Sequence, residues 1–120
     1  MGLQISSRKS GDVTILDLHG RVTIGRANDI LSAELRKLAE SGPCDVLVNL
    51  AAVEQIDSSG ISTIVRSFVT LERHGGSLKV LNPTGHVQEV LQLTRLIHSI
   101  PTFTDEAEAI ASFRHGAAHA

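Results

Sequence analysis

The chain has 120 residues, 42% hydrophobic and 20% charged, with a formal net charge of -2, which fits one globular domain with a single core. Three Phe, no Trp and no Tyr make that core aliphatic and leave no aromatic platform for stacking single-stranded bases. The mildly acidic balance, with Lys and Arg scattered, argues against direct nucleic-acid binding or an anionic membrane as the main partner.

Leu3 to Arg8 reads as a strand, and Ser10-Gly11-Asp12 is a turn signal before a second run, Val13-Thr14-Ile15-Leu16-Asp17-Leu18. Two such runs joined by a Gly-containing turn predict a hairpin. The second run is apolar at nearly every position, which places it inside the sheet. Gly20 to Gly25 breaks the pattern, and from about Arg26 to Glu40 the residues Ala27, Ile30, Leu31, Leu35 and Leu38 recur at helical spacing. Ser41-Gly42-Pro43 ends that helix.

Asp45-Val46-Leu47-Val48-Asn49-Leu50 is β-branched and almost continuously apolar, the pattern of a central strand. After Asp57-Ser58-Ser59-Gly60 a second helix is marked by Ile61, Ile64, Val65, Phe68 and Leu71, and it stops at His74-Gly75-Gly76. Ser77 to Leu81 is a short strand; Val87, Val90, Leu91 and Thr94 mark a shorter helix. Ile97 to Ile100 is expected as a final edge strand stopped by Pro101. Thr104-Asp105-Glu106 starts a last helix, packed through Ala107, Ile110 and Ala111. The order β-β-α-β-α-β-α-(β)-α predicts an α/β fold: a mixed sheet of about four to five strands with about four helices on it. One domain is expected over residues 1–114, with a flexible tail over 115–120.

No apolar stretch approaches the roughly 20 residues that span a bilayer, so no membrane insertion is expected. Met1-Gly2-Leu3-Gln4 lacks the basic start and apolar run of a signal peptide. A single cysteine, Cys44, excludes an internal disulfide and fits a reducing compartment. A cytoplasmic protein is the plain reading.

Asp57-Ser58-Ser59-Gly60 falls where a central strand gives way to a helix, the edge at which open α/β sheets present functional groups. At a helix start the first N–H groups lack intrahelical partners and the dipole favours negative charge. Ser58 or Ser59 can cap that end, and a phosphate on Ser58 would be tolerated there. Taken alone, the string reads first as a helix cap, with Gly60 for close packing. A nucleophile elbow needs Gly two residues before and two after its serine, and Ile56 and Asp57 stand at the preceding places. No enzyme activity is expected. His74, His86 and His98 fall in separate elements, and Cys44 has no partner at ligand spacing; no metal and no cofactor are expected. No phosphate-cradling Gly-Lys-Ser/Thr loop is present.

Together, Leu47-Val48-Asn49-Leu50, Ile56-Asp57-Ser58-Ser59-Gly60-Ile61 and Gly75-Gly76-Ser77-Leu78-Lys79-Val80 resemble the STAS domain family, and within it the bacterial anti-sigma factor antagonists. The likeness covers roughly residues 3 to 113. It implies the STAS fold and partner switching: the unphosphorylated antagonist binds an anti-sigma factor that is also a serine kinase, phosphorylation releases it, and a PP2C-type phosphatase resets it. The phosphoacceptor maps onto Ser58, with Asp57, Ser59 and Gly60 around it. Related antagonists often carry an acid in a Gly-x-Leu-Asp loop; here that stretch is Gly20-Arg21-Val22-Thr23, with Thr23 in the acid's place.

The second helix is expected to turn Ser62, Thr63, Arg66, Ser67 and Thr70 outward. Ser62, Thr63 and Arg66, within two turns of Ser58, are therefore expected to bind the partner, and the resemblance implies Arg21 and Thr23 in the loop as further partner-binding residues, in a monomer or weak dimer. A non-switching STAS scaffold, as a subunit of a lipid transporter or stress-signalling complex, is the alternative, favoured by Thr23. A nucleotide sensor on the same fold has only the helix N-terminus in its support.

Overall fold

Five strands form one mixed sheet in the order β1-β2-β3-β4-β5, in a computed structural model that describes residues 2–93 and 98–118, with side chains described through residue 113. In chain order the elements are β1 (Leu3–Ser10), β2 (Val13–Val22), α1 (Arg26–Glu40), β3 (Asp45–Ile56), α2 (Ser58–Arg73), β4 (Ser77–Leu81), α3 (Gly85–Leu93), β5 (Thr102–Phe103) and α4 (Glu106–Ala118). β1 and β2 pair antiparallel around a turn at Gly11, whose φ of 60° suits glycine. All other neighbouring pairs are parallel. β2 lies inside the sheet and β3 at its centre, as their apolar runs predict.

The two faces of the sheet differ in depth. On one, Leu16, Leu18, Val22, Val46, Val48, Leu50, Val53 and Ile56 from β2 and β3 pack against Leu31 and Leu35 of α1, Ile61, Ile64 and Leu71 of α2, and Val87 and Leu91 of α3. On the other, Val13, Ile15, Leu47 and Leu81 meet Ala109 and Phe113 of α4. Alternation along the strands supplies both sets. A polar cluster adjoins the smaller core. Arg8 Nε donates to Asp17 Oδ2 at 2.7 Å and Arg8 Nη2 to Glu106 Oε1 at 2.6 Å, tying β1 and β2 to the start of α4. Asn49 Nδ2 donates to Asp17 Oδ1 at 2.8 Å.

Several expectations change. β2 continues through Gly20 to Val22, with irregular register around His19 and Arg21. β3 runs to Ile56 rather than Leu50. Both extensions keep Val22, Val53 and Ile56 buried while their other residues face solvent, so an apolar-run criterion stops too early. Of the expected edge strand, Ile97 lies outside the described residues, and His98 and Ser99 form a tight helical turn. The edge strand is instead β5, after Pro101. It is held by Val80 N–H to Pro101 O at 2.9 Å and Asn82 N–H to Phe103 O at 2.8 Å. Thr94 also lies outside the described residues. In α4, Ala107 and Ala111 are exposed, and Ala109, Ile110 and Phe113 make the contact face. The helix continues to Ala118, past the expected start of the tail at residue 115.

Candidate functional site

β2 and β3 end together, with Val22 opposite Ile56, and this register brings the two following segments side by side. Asp57 N–H donates to Val22 O at 3.2 Å, and Ile61 N–H donates to Asp57 O at 3.1 Å. The chain thus passes from sheet to helix across one residue. Asp57 itself is extended, with φ -115° and ψ -176°, and it is the N-cap of α2. Its Oδ1 accepts from Ser59 N–H at 3.0 Å, Gly60 N–H at 3.1 Å and the Ser59 hydroxyl at 2.5 Å. Its Oδ2 accepts from Ile24 N–H, in the loop after β2, at 2.8 Å. Asp57, not a serine, caps the helix, and its carboxylate also binds a second loop.

The electrostatics follow from those bonds. Burial pushes the Asp57 carboxyl up, but the Ser59 hydroxyl and the Ile24, Gly60 and Ser59 backbone N–H groups outweigh it and hold the pKa below the ordinary 3.8. Asp57 is a carboxylate at neutral pH.

The two serines are not equivalent. Ser59 is half-buried and its hydroxyl is bonded to Asp57. Ser58 is the first residue of α2, exposed, and among the described residues its hydroxyl has no hydrogen-bond partner. Gly60 is buried, and a Cβ there would lie 2.6 Å from Val22 O and 2.8 Å from Val22 Cγ1. It lets the first turn of α2 close onto the end of β2.

The expected partner residues separate. Ser62 and Arg66 are exposed on α2, one and two turns beyond Ser58. Thr63 is a correction: it is only 1% exposed, and its Oγ1 donates to Asn28 Oδ1 of α1 at 2.6 Å. It faces α1 because the two helices pack together there, and it anchors Arg66, whose Nη2 reaches Thr63 Oγ1 at 3.4 Å. Thr23 is half-buried in the loop, its carbonyl accepting from Asn28 N–H at 3.2 Å. Arg21 is exposed and lines a shallow depression with Gln4, His19 and Glu54. Its neighbour Val22 is buried in the core, while Arg21 is exposed. Sequence reasoning missed Asn28, which links the loop after β2 to α2 through Thr23 and Thr63, and Ile24, which is 80% exposed beside the cap. An apolar residue inside the Gly20 to Gly25 break was the available signal for Ile24.

This sheet order, with a capped serine turn at the start of the second helix, defines a class. The STAS domain family model matches residues 4–109, and the chain belongs to that family. A curated relative, the anti-sigma F factor antagonist of Paenibacillus polymyxa, is 22% identical over 111 residues, 92% of this chain and 94% of the relative. The crystal structure of an anti-sigma factor antagonist from Mycobacterium paratuberculosis is similar with a TM-score of 0.81 and 18% identity, over 94% of this chain and 95% of that one. A sulfate transporter family protein from Wolinella succinogenes shares the fold with a TM-score of 0.72 and 18% identity, over 88% of each chain. Among the described residues no helix is long and apolar enough to cross a membrane.

Proposed function

We propose that this chain is an anti-sigma factor antagonist that works by partner switching, with Ser58 as its phosphoacceptor. Unphosphorylated, it binds an anti-sigma factor that is also a serine kinase; phosphorylation releases it, and a PP2C-type phosphatase restores it. It acts in the cytoplasm as ligand and substrate rather than as catalyst, as a monomer or weak dimer. The observation that carries the reading is the difference between the two serines: Ser58 presents an open, exposed hydroxyl, whereas the Ser59 hydroxyl is held by Asp57.

The charge change accounts for release. A phosphate adds about -1.5 to -2 charges at neutral pH, beside the ionised Asp57. The helix dipole favours that charge at the first position of α2, so the backbone can stay in place. The docking surface then carries about three negative charges on one turn, and a partner fitted to the neutral serine loses roughly two orders of magnitude in affinity, about 3 kcal/mol.

The test is incubation with the cognate kinase and ATP, read by mass spectrometry. One phosphate on Ser58 is expected, and none on Ser58→Ala. Phosphate on Ser59, or none with any kinase-type anti-sigma factor of the same genome, overturns the reading. The second reading is a non-switching scaffold in a lipid transporter or stress complex; the fold shared with the Wolinella protein favours it. Recovery of a transporter ATPase subunit rather than a kinase in a pull-down decides for it.

A further inference from the structure

Ile24 is 80% exposed, yet its backbone N–H donates to Asp57 Oδ2 at 2.8 Å. Asp57 precedes Ser58, so one carboxylate ties the backbone that carries the aliphatic side chain to the turn that carries the phosphoacceptor. A single exposed aliphatic residue is ordinary on a protein surface. The rigidity around this one is not. Thr23 O accepts from Asn28 N–H at 3.2 Å, and Gly25 O accepts from Asp29 N–H at 3.1 Å. Asn28 Oδ1 is in turn bound by Thr63 Oγ1 at 2.6 Å, inside the α1–α2 contact. Gly25 follows with φ 106°, a conformation that only glycine adopts readily. A side chain on a loop already ordered can be buried by a partner without the cost of ordering that loop.

We propose that Ile24 is an apolar anchor of the surface on which the kinase-type anti-sigma factor docks, filling an aliphatic pocket beside the partner's phosphoryl-transfer site. The inference rests on the function proposed above and identifies part of its interface. A kinase that phosphorylates Ser58 must place its active site against the Ser58 hydroxyl. A stable interface covers about 800 Å² on each partner, a patch of about 16 Å radius. Ile24 is hydrogen-bonded to the residue next to Ser58, so it lies inside any such patch centred on that serine. It is therefore covered in the complex. An Ile side chain covered by polar groups would forgo the gain of apolar burial and leave those groups without partners, so the facing surface is apolar.

The test is calorimetric titration of the full chain with the cognate kinase-type anti-sigma factor, for wild type, Ile24→Ala, Ile24→Ser and Val69→Ala. Val69 is a suitable control: it is 42% exposed and about 16 Å along α2 from Ser58, at the rim of such a patch, where truncation costs little. Ile24→Ala is expected to weaken binding about 10-fold and Ile24→Ser somewhat more, with Val69→Ala within about 2-fold of wild type. Thermal melts of the variants should match wild type, since the Ile24 side chain is outside the core. Equal affinity of wild type and both Ile24 variants overturns the anchor while leaving the switch at Ser58 standing. A wild-type chain that neither binds the kinase nor accepts phosphate at Ser58 overturns the proposed function, and the anchor with it.

Discussion

Helices α2 and α4 begin alike and are put to different ends. Each is capped by an aspartate whose side chain accepts from the second N–H of the helix: Asp57 from Ser59 at 3.0 Å, Asp105 from Ala107 at 2.9 Å. Each aspartate's carbonyl also accepts the first intrahelical bond, from Ile61 at 3.1 Å and from Ala109 at 3.0 Å. The first helical residue then differs. In α4 it is Glu106, whose carboxylate is bound by both terminal nitrogens of Arg8, at 3.0 and 2.6 Å. In α2 it is Ser58, exposed and unbonded. Glu106 shows that a negative charge at this position is compatible with the fold when a guanidinium answers it. A phosphate on Ser58 would have the same helix N-terminus but no such cation bonded to that residue, so its charge would face a docking partner. An aspartate cap is thus structural in both places, and what distinguishes the site is the residue the cap presents.

The third helical position separates the two starts further, with Gly60 in α2 and Glu108 in α4. Gly60→Ala should be the most damaging change, because the new Cβ would lie 2.6 Å from Val22 O. We expect a loss of about 3 kcal/mol in urea denaturation, and a loss below 1 would show that α2 is no more tightly seated than α4. Asp57→Ala removes the cap and the tether to Ile24, and about 2 kcal/mol is expected, against about 1 for Asp105→Ala; equal losses would erase the distinction between the caps.

Protonation tests the same clamp reversibly. The folded pKa of Asp57 lies below the ordinary 3.8. Its contribution is therefore complete above that value and disappears as pH falls through the folded pKa. Stability measured from about pH 5 to 2 should fall less steeply in Asp57→Asn than in wild type. Ser59→Ala should cost about 1 kcal/mol for the hydrogen bond to Asp57, whereas Ser58→Ala should stay within about 0.5; reversal of that order would mean the two hydroxyls had been assigned the wrong way round. A similarly small effect is expected for Arg8→Ala. Its bonds to Glu106 and Asp17 hold both carboxyls down and raise its own pKa. Arg8 is exposed and its two partners are only half-buried, however, and about 0.5 kcal/mol is expected from a melt.

Much of this was legible in the sequence where burial and periodicity coincide. The apolar runs of β2 and of the first half of β3 announced interior strands, and the 3- and 4-residue steps from Ile61 to Leu71 announced α2. Legibility failed where only one side of an element is covered. Ala51, Ala52, Glu54 and Gln55 are exposed in the second half of β3, and their polarity and small size masked a strand that still buries Val53 and Ile56. β5 has two residues and owes its pairing to neighbours rather than to a pattern. At the site, the position of the serine turn was readable. The identity of the cap was not, because Asp, Ser and Thr all cap helices and the choice depends on which side chain the backbone aims at the free N–H groups. Thr63 was misplaced because helical spacing gives the angle of a side chain but not the second helix that covers it.

The hydrogen bond from the Ser59 hydroxyl to Asp57 has a consequence for signalling. Two adjacent serines could in principle record three levels of modification. Phosphorylating Ser59 would remove the proton it donates and set two anions against each other inside the cap, unravelling the helix start. With that hydroxyl engaged, the turn offers a kinase a single target. The proposed device is binary: it counts to one.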